Sequence, residues 1–109
     1  MADAPADGIL IEVQDGGDDT VVRLIGELDL QSAPRVRTAM ASVHGGHTDR
    51  VVVDLEGLSY MDSVGIGLLV SSRQRLESEG RHLSLRNPAP PIRRLLQITG
   101  LEDYLGLER

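Results

Sequence analysis

The short run from Arg50 to Leu55, RVVVDL, constrains the fold of this chain more than any other feature. Its apolar residues are nearly continuous, whereas a strand with one face in water would alternate apolar and polar side chains. Such a run is typical of a strand at the centre of a sheet, with both faces covered. We therefore expect a buried central strand here.

Strand and helix patterns alternate around this run. Strands are predicted at 9–13, 20–25, 50–55 and 82–86, and helices at about 33–43, 64–79 and 91–99. A loop rich in Gly and Asp between the first two strands predicts a β-hairpin, and Ser32 is the predicted N-cap of the first helix. The order predicts an α/β fold with a mixed, mostly parallel sheet of four to five strands, an N-terminal hairpin and three to four helices. The tail, residues 101–107, packs back as a terminal strand or a short helix, and the sequence leaves both open.

Composition excludes several classes of protein. The chain has no Phe, no Trp and only two Tyr, so it lacks the aromatic platforms on which single-stranded nucleic acid stacks. Its formal net charge is −6, and all its Lys and Arg positions are arginine. This acidic chain lacks the basic patch of a nucleic-acid-binding protein, and we expect its partners to be proteins.

Metal sites, cofactors and membrane segments are not expected either. The chain has no cysteine, and its three histidines lack the spacing of zinc ligands. The start, MADAPADG, has neither the basic nor the apolar region of a signal peptide, and no apolar run reaches transmembrane length. We expect a cytoplasmic protein with a disordered terminus at 1–8 and a single domain at 9–109.

The pair Asp62-Ser63 falls where the exit loop of the buried strand meets the second predicted helix. In open α/β sheets, binding sites gather at the carboxyl ends of strands. A helix N-terminus also offers unpaired N–H groups and partial positive charge, so a phosphate on Ser63 would be accommodated there. Ser and Asp are equally favoured as N-caps, and a purely structural role for Ser63 stays open.

The helix that follows predicts a surface beside Ser63. Helical spacing puts one set of side chains on the core face: Gly65, Leu68, Leu69, Ser72 and Leu76. Ile66 and Val70 fall on the far side with Arg73, which predicts an exposed apolar patch for a partner, unless neighbouring loops cover it. Gly65 is expected to permit close packing on the sheet, and Gly67 to leave room for a partner's backbone.

Three blocks of the sequence carry a family resemblance: GELDLQSAP at 26–34, VVVDLEGLSYMDSVGIGLLV at 51–70 and NPAPPIRRLLQITGLEDYL at 87–105. Together they resemble the STAS domain and, more narrowly, the free-standing anti-sigma factor antagonists of bacteria. In that family, the unphosphorylated antagonist binds an anti-sigma factor that is also a serine kinase, and a sigma factor is released. Phosphorylation of the antagonist breaks the complex, and a PP2C-type phosphatase restores it.

The resemblance implies roles for individual residues. Ser63 matches the phosphorylated serine, and Asp62 and Asp29 match acidic positions near it. Many relatives carry Ser or Thr where this chain has Val64, so the resemblance leaves Ser63 as the acceptor. The residues expected to contact the partner are Asp29, Asp62, Val64, Gly65, Ile66, Gly67, Val70 and Arg73.

Other functions fit the sequence less well. A receiver domain phosphorylated on Asp54 would need a lysine, which the chain lacks, and an early acidic pair. A serine hydrolase would need a glycine two residues before Ser63 and a histidine base, and His82 has no evident route to Ser63. We therefore do not expect an enzyme. A STAS module that regulates a transporter or a stressosome-type partner stays open, as does a weak homodimer.

Overall fold

The computed structural model describes residues 6–44 and 46–108. Its elements, in chain order, are β1 (Ile9–Gly16), β2 (Asp19–Leu28), α1 (Ala33–His44), β3 (Arg50–Asp54), β4 (Leu58–Met61), α2 (Ser63–Ser78), β5 (His82–Arg86) and α3 (Pro90–Thr99). They form one mixed sheet of five strands with three helices. The predicted α/β class is confirmed.

The sheet has β2 and β3 at its centre. β1 pairs antiparallel with β2 through the predicted hairpin, β3 runs parallel to β2, and β5 runs parallel to β3. Val51, Val52 and Val53 of β3 are all 0% exposed. The prediction of a central strand buried on both faces is therefore confirmed.

The strand β4 is missing from the predicted order of elements. It has only four residues, and its outer two, Leu58 and Met61, are buried while the inner two are exposed, so the sequence shows no alternation of period two. It pairs parallel to the end of β2, with Leu28 opposite Met61, after a register shift at Gly26. This short strand matters because it aligns the ends of β2 and β4 at one edge of the sheet.

The helices cover the sheet with the side chains that the helical spacing predicted. The buried residues of α2 are Gly65, Leu68, Leu69, Ser72 and Leu76. α2 packs against α1, β4 and β5, and α3 packs against β4. The tail is neither of the two predicted forms: it makes turns from 102 to 106 and then a single parallel bridge from Leu107 to Leu85.

Ion pairs hold both ends of the hairpin strands. The guanidinium of Arg35 donates hydrogen bonds to the Asp7 carboxylate and lowers its pKa, and Arg50 does the same for Asp19. Because the pKa of each carboxyl group is lowered by folding, these contributions to stability are present at neutral pH and are lost as acid protonates the carboxylates. The terminus at 1–8 was predicted to be disordered, and residues 1–5 of it lie outside the described residues. Within the described part of that terminus, Asp7 is paired with Arg35.

The two glycines of α2 lie in contrasting surroundings, which gives a matched test of the packing. A methyl group at Gly65 would lie 2.6 Å from Met61 Cγ and 2.9 Å from Leu28 Cγ, whereas one at Gly67 would meet nothing within 4 Å. Ala is favoured over Gly in helices by about 1 kcal/mol, while overpacking a core costs about 1–3 kcal/mol. We expect Gly67→Ala to stabilise the protein by up to about 1 kcal/mol and Gly65→Ala to destabilise it by about 1–2 kcal/mol. Urea unfolding of both variants measures this, and equal stabilisation would show that α2 is not pressed against the sheet.

Candidate functional site

The ends of β2 and β4 bring two carboxylates to one edge of the sheet. Leu28 lies opposite Met61 in the parallel register, and the Asp62 N–H donates to the Leu28 carbonyl at 3.3 Å. Asp29 and Asp62 follow these paired residues directly in the chain. The two acidic positions that the resemblance placed near Ser63, Asp29 and Asp62, are therefore neighbours across the sheet edge.

Asp62, not Ser63, is the N-cap of α2. Its backbone is extended, and its Oδ1 accepts hydrogen bonds from the N–H groups of Val64 at 3.0 Å and Gly65 at 3.3 Å. Ser63 is the first residue of the helix. Of the two residues that the sequence left open as the cap, the structure has Asp62 in that position. Two of the N–H groups that we expected to be free for a phosphate are already taken by Asp62.

The Ser63 side chain is exposed at the start of this capped helix. Within the part of the chain that the structure describes, its hydroxyl has no hydrogen-bond partner. Since Asp62 stabilises the helix start, a change at Ser63 leaves the cap intact. The hydroxyl is thus accessible, and the fold does not depend on it.

An open depression of about 500 Å³ lies beside this helix start. Its lining residues come from the end of β2, the loop after it, β4 and the N-cap of α2: Glu27, Asp29, Leu30, Gln31, Tyr60 and Asp62. Three of them are acidic, and the two large apolar side chains are unusually exposed, Leu30 at 75% and Tyr60 at 48%. An acidic depression with exposed apolar side chains is suited to binding another protein.

The loop that carries Asp29 is held by its own hydrogen bonds. Asp29 Oδ1 accepts from the N–H groups of Gln31 and Ser32, both at 3.0 Å. The Ser32 hydroxyl donates to the Glu27 carbonyl at 2.7 Å and accepts from the Asp29 N–H at 3.0 Å. Ser32 is at the predicted N-cap position, since its carbonyl accepts from the Arg35 and Val36 N–H groups. Its side chain fixes the loop instead of bonding to the first turn of α1. The acidic side of the depression is consequently preorganised.

Removing the cap gives a test of the helix start. Asp62→Ala deletes both side-chain hydrogen bonds to the first turn, and we expect it to lower the free energy of unfolding by about 1 kcal/mol. Asp62→Asn keeps an acceptor oxygen and is expected to retain most of that stability. Urea titration compares the two variants. If Asp62→Asn lost as much stability as Asp62→Ala, the cap would depend on the charge of Asp62 and not on its hydrogen bonds.

The predicted apolar patch on α2 differs from expectation. Ile66 and Val70 are only partly exposed, because both are half-buried and pack against the core cluster, as Val64 does. The outcome lies between the two expectations, since both side chains are partly covered and partly exposed. Gly67 is exposed, with open space around it. The exposed apolar surface near Ser63 comes from Leu30 and Tyr60 instead.

Arg73 lies well away from the start of α2. It is ten residues from Ser63, or about 15 Å along the helix axis. Its guanidinium lies over the Tyr104 ring, with Cζ 3.9 Å from the ring centroid, and Nη2 is 2.8 Å from Glu77 Oε1. The structure therefore groups Asp29, Asp62 and Ser63 and leaves Arg73 in contacts within the chain.

Sequence reasoning missed the depression because it missed β4. Without the pairing of β4 with β2, nothing placed Tyr60 beside Leu30. The signal that could have found the site is the exposed Leu30 inside the polar loop GELDLQS, where an apolar residue has no evident role in folding.

Asp54, the acceptor in the receiver-domain alternative, has structural contacts. It is 4% exposed, its Oδ1 accepts from the Glu56 N–H at 3.0 Å, and its Oδ2 lies 3.5 Å from Arg23 Nε. These contacts are those of a strand-end residue that fixes the following loop.

Among the described residues, no helix has the length and apolar character needed to cross a membrane.

Comparison with known proteins decides the family. Residues 11–108 match the family model described as Mlab, STAS domain. The chain belongs to the STAS domain family. The predicted fold is thereby confirmed at the level of a family and not only of an α/β class.

Several relatives of this STAS domain are named anti-sigma factor antagonists. It is 36% identical over 86 residues to the anti-sigma F factor antagonist of Lysinibacillus sphaericus, which covers 78% of this chain and 74% of the relative. A crystal structure of an anti-sigma factor antagonist from Mycobacterium paratuberculosis has a TM-score of 0.85 at 28% identity, covering 95% of this chain and 88% of that one. The Bacillus cell fate determinant SpoIIAA, solved in its phosphorylated form, has a TM-score of 0.71 at 27% identity, covering 92% of each chain.

Proposed function

We propose that this STAS domain is an anti-sigma factor antagonist that is switched off by phosphorylation of Ser63. In its unphosphorylated form it binds an anti-sigma factor, which is also the serine kinase that modifies it, and a sigma factor is released. A PP2C-type phosphatase removes the phosphate. The domain acts in the cytoplasm by binding and not by catalysis.

One observation carries the proposal: an exposed serine hydroxyl, without a partner among the described residues, at the start of a helix that a different residue caps. A kinase must reach the hydroxyl, and Ser63 is accessible. The modification must also leave the fold intact, and the cap belongs to Asp62. The names of the relatives support the same function, and no observation favours a transporter or stressosome module.

The charge of the site explains why a phosphate would break a complex. Phosphorylation adds about −1.5 to −2 charges at neutral pH. The added charge would lie next to Asp62 and near Asp29 and Glu27, which line the depression. Because Asp62 already occupies the N–H groups of Val64 and Gly65, the phosphate stays on the solvent side, where a partner would approach. A partner that complements three carboxylates and the apolar Leu30 would meet a changed surface.

The test is a comparison of affinities and of stability. A candidate anti-sigma factor with serine kinase activity is titrated with the unmodified protein and with the singly phosphorylated protein, each purified separately. We expect the phosphate to weaken binding by about a hundredfold, because like charges at an interface cost several kcal/mol. The melting temperature should shift by less than about 5 °C. Equal affinities would refute the switch, and a collapse of the melting temperature would show that the phosphate acts by unfolding the domain.

A further inference from the structure

The helix α3 has a second apolar face besides the one that packs in the core. Ile92 and Leu96 are its buried residues. Pro91, Leu95 and Ile98 are spaced by four and three residues, so they lie along a neighbouring face of the same helix. Ile98 is 72% exposed. Leu95 is half-buried against the core, and Pro91 and Ile98 are exposed, so this face is apolar and only partly buried.

This face borders a groove between α3 and β4. The groove has a volume of about 260 Å³, and its lining is mostly apolar: Tyr60 and Met61 come from β4, and Pro91, Leu95 and Ile98 come from α3. Arg94 is the one charged residue in the lining. Tyr60, which is 48% exposed, also lines the acidic depression beside Asp62. The groove and the depression are therefore adjacent and share this one side chain.

The charge of α3 is opposite to that of the rest of the chain. The formal net charge is −6, yet α3 contains Arg93 and Arg94 and no acidic residue. In the described residues, neither guanidinium forms an ion pair. Both arginines stand in the first half of the helix, the end where the helix dipole favours acidic side chains. Folding thus gives no reason for a positive charge at the rim of this groove.

We propose that the groove between α3 and β4 binds an acidic segment of the same anti-sigma factor, with an apolar side chain against Ile98 and Tyr60 and a carboxylate on Arg94. This inference rests on the proposed function and adds the second half of its interface. The surface is then bipolar: carboxylates lie on one side of Tyr60 and a guanidinium lies on the other. A partner with the opposite order of charges can bind in only one orientation. An anionic lipid surface fits less well, because the carboxylates beside Tyr60 would be repelled by it.

The test uses charge reversal at two adjacent arginines. Arg94→Glu and Arg93→Glu change the net charge equally, but only Arg94 lines the groove. The purified anti-sigma factor that phosphorylates the wild-type protein is the probe, and its affinity is measured at about 0.05 M and about 0.3 M salt. We expect Arg94→Glu to weaken binding at least about tenfold at low salt and Arg93→Glu to change it by less than about threefold. Ile98→Ala should also weaken binding, whereas Val13→Ala, which truncates an exposed apolar residue on β1, should not.

The outcomes separate this inference from the function on which it rests. Phosphorylation of each variant is followed at saturating kinase, where we expect wild-type rates because Ser63 is untouched. If Arg94→Glu binds the kinase as tightly as the wild type, the groove is not part of the interface, and the proposed function stands. If no anti-sigma factor binds or phosphorylates the wild-type protein, the proposed function itself fails. Binding of the wild type, but not Arg94→Glu, to vesicles of anionic lipid would overturn the inference in favour of a membrane.

Discussion

Ser63→Ala is expected to abolish phosphorylation by the anti-sigma factor while the variant still binds that partner. The Ser63 hydroxyl has no partner in the described structure, and the cap belongs to Asp62, so the fold should be unchanged. We expect no phosphate by intact mass and a melting temperature within about 3 °C of the wild type, as for other exposed substitutions. Because it cannot be switched off, the variant should keep its partner occupied in the presence of ATP.

A second serine on the same helix provides the control. Ser71 is exposed, and its hydroxyl donates to the Gly67 carbonyl at 2.8 Å. Ser71→Ala should be phosphorylated like the wild type. If Ser63→Ala were fully phosphorylated, the phosphorylated residue would be one other than Ser63. Loss of binding in Ser63→Ala without loss of stability would mean that the hydroxyl is itself a contact.

Gly26→Ala is expected to have the largest effect on stability. The Gly26 backbone has φ +117°, and a methyl group on it would lie 2.2 Å from the Gly8 carbonyl oxygen and 3.3 Å from Ile9 Cα. These are backbone atoms, so they cannot turn aside as a flexible side chain would. Strain of this kind costs about 3 kcal/mol or more, and we expect the melting temperature to fall by more than about 10 °C.

Gly17→Ala separates the two causes of that loss. Gly17 also has positive φ, at +68°, but a methyl group on it would meet nothing within 4 Å. It should cost only the left-handed backbone penalty, about 1 kcal/mol. If thermal unfolding shows the same loss of stability for Gly17→Ala and Gly26→Ala, the backbone of Gly8 and Ile9 does not restrict the space at Gly26.

Hydrophobic patterns in the sequence predicted the burial of β3 and the buried face of α2, because both features depend on residues close together in the chain. The apolar run of β3 predicted its burial, and the helical spacing of α2 predicted its buried face residue by residue. The place of Ser63 at a strand-to-helix junction also followed from the chain alone. These features depend on neighbours within a few residues, which the sequence displays directly.

The rest depends on contacts between distant segments. β4 is defined by its pairing with β2 and not by its own pattern, so the alignment of Asp29 with Asp62 was not derivable from spacing. The helical spacing placed Ile66 and Val70 opposite the core face of α2, but it could not show that both are partly buried against the core cluster. Asp62 and Ser63 are equally good caps by residue type, and only the backbone of Asp62 decides between them.

Release of a sigma factor tests the central claim most directly. A purified complex of the anti-sigma factor with its sigma factor is mixed with the unphosphorylated domain, and free sigma factor is measured by size-exclusion chromatography. We expect the unphosphorylated domain and Ser63→Ala to release the sigma factor, and the domain phosphorylated on Ser63 to leave the complex intact. Release by both forms, or by neither, would contradict the account.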